Sequence, residues 1–172
     1  MDYKKIIRQV PNFPKKGINF IDLTTLWKNP QALKECINEF VERYKSKMIN
    51  KVVAVESRGF IIGAPLAYMI GAGFVPARKK GKLPAEKLSQ NYSLEYGEET
   101  IEIHKDSIEN GENIIIVDDL LATGGTVNAV CNLVEKLGGN IIECAFIVEL
   151  DFLKGREKIK YPVFTIIHYE NE

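Results

Sequence analysis

The chain has no excess of charge of either sign: 23 Lys and Arg balance 23 Asp and Glu across 172 residues. Without a global field nothing draws it to nucleic acid or an anionic membrane, and any anion site must be built locally. No apolar run approaches the ~18 residues of a spanning helix, and the opening MDYKKIIRQV lacks the apolar core of a signal peptide. The expectation is a cytoplasmic protein with no membrane partner. Cysteine is scarce. Cys36, Cys131 and Cys144 are odd in number and have no paired spacing, which argues against a disulfide framework or a Cys-based metal site and suits reduced core thiols. There is no internal repeat, low-complexity stretch or linker, and 45% apolar content suffices for one substantial core. A single domain over residues 1–172 is expected.

What the chain does have is IIIVDDLLATGGT, residues 114–126. Ile114, Ile115, Ile116 and Val117 are too short a run for a helix and lack polar alternation, so they read as a strand buried on both faces of a parallel sheet. Asp118 and Asp119 end that strand. Thr123, Gly124, Gly125 and Thr126 form a small-residue loop, and Val127, Val130, Val134 and Leu137 give the following segment a helical period. Such a loop offers free N–H groups and the positive end of a helix dipole to a phosphate monoester. It is neither GxxxxGK[ST] nor GxGxxG. Two adjacent carboxylates do not suit that phosphate but suit hydroxyls, so the motif as a whole fits a ribose 5-phosphate. A bare TGGT fits an ordinary strand-to-helix turn equally well; the strand and the acidic pair favour the ligand.

DDLLATGGT resembles the phosphoribosyl pyrophosphate (PRPP) motif of the type I phosphoribosyltransferases, in the form found among those that use adenine. The resemblance runs from about Phe13 to about Tyr169. It implies an open, mainly parallel twisted α/β sheet flanked by helices, with a small flexible β-hairpin hood.

The rest of the chain can be read beside that resemblance. Pro11, Pro14 and Gly17 leave NFPKKGINF as an irregular loop carrying Phe13 and Phe20. The family has GxxFRD here, its Phe stacking on the base; this chain keeps Gly17, Phe20 and Asp22 but has Ile21 in place of the Arg. Asn29-Pro30 starts a helix with Leu33, Ile37, Phe40, Val41 and Tyr44 on one stripe. Residues 51–55 read as a buried strand, followed by Glu56-Ser57-Arg58-Gly59 and a helix over about 60–70. Ser57 can cap that helix and Arg58 stands where its N-terminus favours an anion, although a capped helix with a solvated arginine reads the same way. The match to the family's DSRGF segment favours a pyrophosphate cradle and implies a non-proline cis peptide at Glu56–Ser57.

Residues 73–77 form a strand that enters Arg78-Lys79-Lys80-Gly81-Lys82-Leu83-Pro84, a flexible basic loop that is either solvated surface or the one cluster able to neutralise a pyrophosphate. Residues 85–105 alternate with period two around Gly97-Glu98-Glu99, a hairpin with a mobile tip, read as an excursion above the sheet. The family's hood matches at Ser93 to Gly97, and only that match singles out Glu95. After the central helix, a strand over 141–150, a short helix over 151–158 with the sequence GREK, and a last strand over 163–167 complete an alternating α/β order, ligand loops following the strand ends.

The resemblance then implies that adenine and PRPP give AMP and pyrophosphate. Mg²⁺ travels on PRPP or pyrophosphate and takes no ligand from the chain. Asp118 and Asp119 orient the diol and stabilise positive charge at the sugar; Ala122, Thr123, Gly124, Gly125 and Thr126 hold the phosphate; Ser57, Arg58, Arg78, Lys79 and Lys82 bind pyrophosphate. Asn19, Phe20 and Ile21 meet adenine, Glu95 handles its proton, and the protein is a homodimer. Two alternatives stand: transfer to another purine base, and a non-catalytic PRPP-sensing regulator. The latter needs a basic helix or an added DNA-binding domain, for which this neutral chain has no room.

Overall fold

The structure is a computed structural model and describes residues 1–94 and 97–171, so Glu95 and Tyr96 at the hood tip lie outside the described residues. Its centre is built from the β-branched runs. β3 (Lys51–Val55), β4 (Gly73–Lys79), β7 (Asn113–Leu121), β8 (Asn140–Leu150) and β9 (Val163–Tyr169) belong to a seven-stranded sheet ordered β5-β6-β4-β3-β7-β8-β9, where β5 is Lys87–Leu94 and β6 is Gly97–His104. All pairings from β4 through β9 are parallel; β4–β6 and β5–β6 are antiparallel.

Alternation along the strands divides the core in two. Val52, Ala54, Ile115 and Val117 pack with Phe40, Tyr44 and Leu66 on one face, from α2 (Pro30–Tyr44) and α3 (Gly59–Ile70). Val53, Ile114 and Ile116 pack with Val127, Val130 and Val134 of α4 (Gly125–Lys136) on the other, joined by Ile101 and Ile103. Asn29 caps α2 by accepting from the Gln31 and Ala32 amides, with Pro30 at the first turn. The buried stripe of α2 is Ala32, Cys36, Phe40, Val41 and Tyr44, with Leu33 and Ile37 only partly buried. All three cysteines are free and buried. No described helix is long and apolar enough to cross a membrane.

Four local expectations are corrected. The acidic pair does not end its strand: β7 continues to Leu121 because β8 is long enough to keep pairing it, Asp118 with Phe146 and Leu120 with Val148. Arg78 and Lys79 belong to β4, paired with Glu102 and Ile101 of β6. The hairpin joins the sheet only at the end of β4, and β5 packs against α4. The stretch read as irregular is gripped by two short antiparallel strands, β1 (Arg8–Pro11) and β2 (Asn19–Asp22), which puts Phe20 on a strand. The segment with GREK is two 3₁₀ turns, Asp151–Leu153 and Gly155–Lys158.

Candidate active site

β3 and β7 are neighbours in the sheet, and their C-terminal ends open a cleft of about 460 Å³ lined by Glu56, Ser57, Arg58, Lys79, Asp118, Asp119, Leu120 and Thr126. Gly59 makes this possible: a Cβ there would lie 2.9 Å from the Val117 carbonyl, so only glycine lets the start of α3 close onto β7. The Glu56–Ser57 peptide is cis, as the resemblance implies. Ser57 does not cap α3; Arg58 occupies the cap position, with no side-chain capping bond.

Asp118 and Asp119 occupy consecutive strand positions, and the Asp119 amide donates to Asp118 Oδ1 at 2.8 Å. Burial, with the Asp119 charge beside it, pushes the Asp118 carboxyl well above the usual range. Burial also raises Asp119, against the pull of the Arg58 guanidinium. Arg58 Nε lies 3.0 Å from Asp119 Oδ2, but this buried oxygen accepts no aligned hydrogen bond among the described residues. Arg58 also stands 5.9 Å from the ring centre of half-buried Phe20, which packs edge-on against Phe13. The cation thus links the acidic pair to the aromatic.

The loop 122–126 encloses a smaller cavity of about 140 Å³, which also touches Asp118, Leu120 and Phe146. Gly124, at φ +78°, is the cap residue of α4. A Cβ on it would come 2.4 Å from the Gly155 carbonyl, and one on Gly155 would come 2.1 Å from the Ala122 carbonyl. The GREK turn is therefore a backbone brace for the loop. Arg156 secures it, donating to buried Glu149 through Nε and Nη2 and to the Val163 carbonyl through Nη1. Sequence reading noted GREK at 155–158 but assigned Gly155 no role.

Two cations of the basic segment, Arg78 and Lys79, are already paired. Arg78 forks onto Glu56 through Nη2 at 2.8 Å and Nε at 3.3 Å, and its Nη1 donates to the Lys82 carbonyl. Glu56 also accepts the Lys79 amide. Lys79 Nζ reaches Glu99 at 3.1 Å, and Glu99 accepts the Tyr92 hydroxyl. Of the predicted pyrophosphate cations, Arg58 and Lys79 line the cleft, while Arg78 and Lys82 do not. Glu56 and Leu120, which do, were not singled out by the sequence. Glu95 lies outside the described residues.

The predicted base contacts separate. Strand alternation turns the side chains of Asn19 and Ile21 away from the Phe20 face, into a separate pocket of about 170 Å³ with Gln9, Leu150, Phe152, Tyr169 and Asn171. Ile21, where the family has arginine, is buried core. Among the described residues one trio of side chains, Glu149, Asp151 and His168, brings ligand atoms close enough for a metal ion, but it lies outside the cleft lining and Glu149 is engaged by Arg156.

Comparison with known proteins shows what the whole chain is similar to. The model of the phosphoribosyl transferase domain matches residues 22–172. An adenine phosphoribosyltransferase of Desulfosudis oleivorans is 54% identical over 173 residues, covering 100% of both chains. The crystal structure of adenine phosphoribosyltransferase from Thermoanaerobacter pseudethanolicus is 48% identical, with a TM-score of 0.94 over 98% of each chain. That from Saccharomyces cerevisiae, complexed with an imino-altritol bisphosphate and adenine, is 45% identical, with a TM-score of 0.91 over 96% of each. With the family model and the full-length likeness in agreement, the chain belongs to the phosphoribosyl transferase family.

Proposed function

We propose that this protein is a purine salvage enzyme, an adenine phosphoribosyltransferase that converts adenine and PRPP to AMP and pyrophosphate. The observation that carries the reading is one cleft in which Asp118 and Asp119 meet the Arg58 and Lys79 cations and Thr126, next to the glycine loop that opens α4. Adenine complexed in the yeast relative supports the choice of base.

In this reading the amides of residues 122–126 hold the 5′-phosphate. Asp118 and Asp119 accept the ribose hydroxyls and stabilise positive charge as the anomeric carbon passes through an oxocarbenium-like state. Ser57, Arg58 and Lys79, which line the cleft, receive the departing pyrophosphate. Phe20 offers adenine a stacking face, the β2 backbone its edge contacts, and Glu95 handles the adenine proton as the hood closes. The oxygen-rich cleft and the unbonded Asp119 Oδ2 fit Mg²⁺. Carried in on the diphosphate, with Glu56, Asp118 and Asp119 facing it, the ion would neutralise charge on the leaving group. The whole chain acts as one domain in the cytoplasm. Ile61, Tyr68, Met69 and Phe74 are exposed apolar residues of α3 and β4, and such a surface supports a homodimer.

Thermal unfolding tests the reading. A ligand specific for the folded state adds about 4 kcal/mol at about 1,000 times its Kd, and a chain this size gains roughly 2 to 4 °C per kcal/mol. Saturating PRPP with Mg²⁺ is therefore expected to raise Tm by roughly 8 to 16 °C, and adenine alone by little. No shift with PRPP, or a large one with adenine alone, overturns the assignment; a panel of other bases in the activity assay separates adenine from its rivals.

A further inference from the structure

Resting on the reading of the cleft as a diphosphate site, we propose that Glu99 sets the affinity for the diphosphate by competing with it for Lys79. Lys79 lines the cleft, but its Nζ donates to Glu99 Oε1 at 3.1 Å, and Glu99 stands outside the cleft lining. The ammonium that the ligand needs is drawn aside. Strand register explains the pairing: β4 and β6 run antiparallel with Lys79 opposite Ile101, so Glu99, two residues from Ile101 and on the same face, is the diagonal neighbour of Lys79.

Glu99 is itself held in place. Its Oε2 accepts the hydroxyl of half-buried Tyr92 at 3.0 Å, the residue directly opposite it on β5. That hydroxyl also meets the Thr126 side chain. A chain of contacts thus runs from Lys79 through Glu99 and Tyr92 to Thr126, and both of its ends line the cleft. The ion pair remains open to solvent, with side chains 55% exposed at Lys79 and 34% at Glu99. An exposed pair holds weakly. A diphosphate, with several charges, can therefore take Lys79 from a single carboxylate, and Glu99 reclaims the ammonium as pyrophosphate leaves.

Isothermal titration of the full chain with pyrophosphate and Mg²⁺ reads the competition. Glu99→Gln keeps an acceptor for Tyr92 and removes the charge, so binding is expected to tighten by about twofold to fivefold, the range an exposed ion pair supplies. In a Lys79→Gln chain the same change has no ammonium to release, and the affinity is expected to move by less than about 1.5-fold. The inhibition constant of pyrophosphate, measured in parallel, extends the comparison to chains that bind too weakly to titrate. If Glu99→Gln weakens binding or leaves it unchanged, Glu99 supports Lys79 or stands idle, and the proposal is overturned. Equal tightening with and without Lys79 means repulsion of the ligand by Glu99 through space, which overturns it as well. Should Glu99→Gln not fold, Glu99→Ala gives the same comparison. A wild type that does not bind pyrophosphate overturns the diphosphate reading and this proposal with it; a binding wild type whose two substitutions act independently overturns this proposal alone.

Discussion

Arg58 Nε stands 3.0 Å from Asp119 Oδ2 without making an aligned hydrogen bond, so the two are held by charge. A contact of that kind is easily exchanged for a ligand oxygen. Arg58→Gln removes the charge that partly offsets burial at Asp119, and a cation from the pyrophosphate wall. The KM for PRPP is expected to rise by about tenfold or more, with Arg58→Lys recovering part of the loss; steady-state kinetics on both variants checks this.

Asp118 and Asp119 should be more valuable to catalysis than to folding. Their carboxyls are raised by burial in the folded protein, so their contribution to stability is fully present below the ordinary aspartate range and is lost as pH rises through the raised values. Asp118→Asn with Asp119→Asn is therefore expected to raise the Tm of the ligand-free protein at neutral pH while lowering PRPP affinity and rate. A Tm series against pH, run on wild type and the double variant, should show the gap widening upward in pH. Wild-type kinetics in the double variant would reduce the motif to a turn.

The opposite sign applies to Asp22, Glu143 and Glu149. The Thr24 hydroxyl and amide, then Arg8, pull the Asp22 carboxyl down from 3.8 to about 2. Burial opposes ionisation of Glu143 and Glu149, but bonds from Arg43 and Tyr44, and from Arg156 and Thr165, outweigh it and lower both. Their stabilisation is present above the usual carboxylate range and disappears as pH falls below it. Arg156→Gln should abolish the Glu149 part of that acid dependence, measured as a flatter decline of Tm below neutral pH.

Gly155→Ala is expected to damage PRPP binding from outside the cleft. The added methyl meets the Ala122 carbonyl at 2.1 Å, so the phosphate loop or the turn must move. Overpacking of this kind costs about 1 to 3 kcal/mol. A lowered Tm together with a raised KM for PRPP, and an unchanged KM for adenine, is the expected pattern; a lowered Tm alone would make the brace structural only.

Glu95→Gln is expected to lower kcat by roughly 10² to 10⁴ if this side chain transfers the adenine proton, with PRPP affinity little changed. Single-turnover rates separate the chemical step from product release. A loss under about threefold removes the residue from the mechanism.

Local chemistry was legible in the sequence. Four β-branched residues, a diacid and a glycine loop dictate strand, acceptors and helix N-terminus within 13 residues, 114–126, because period and glycine freedom act over a few residues. Tertiary structure decided the partners. Arg78 meets Glu56, Arg58 meets Asp119 and Lys79 meets Glu99 only once β3, β4, β6 and β7 lie side by side, and a run of cations in sequence does not say which carboxylates will answer it. The face of β2 is a matter of alternation and packing: it leaves Phe20 near Arg58 and buries Ile21, which no composition argument distinguishes. Gly155 supports Gly124 across 31 residues of chain through backbone atoms alone, so its importance has no side-chain signature to read. Elements follow from neighbours in sequence, whereas charge compensation and close backbone approach follow from neighbours in space.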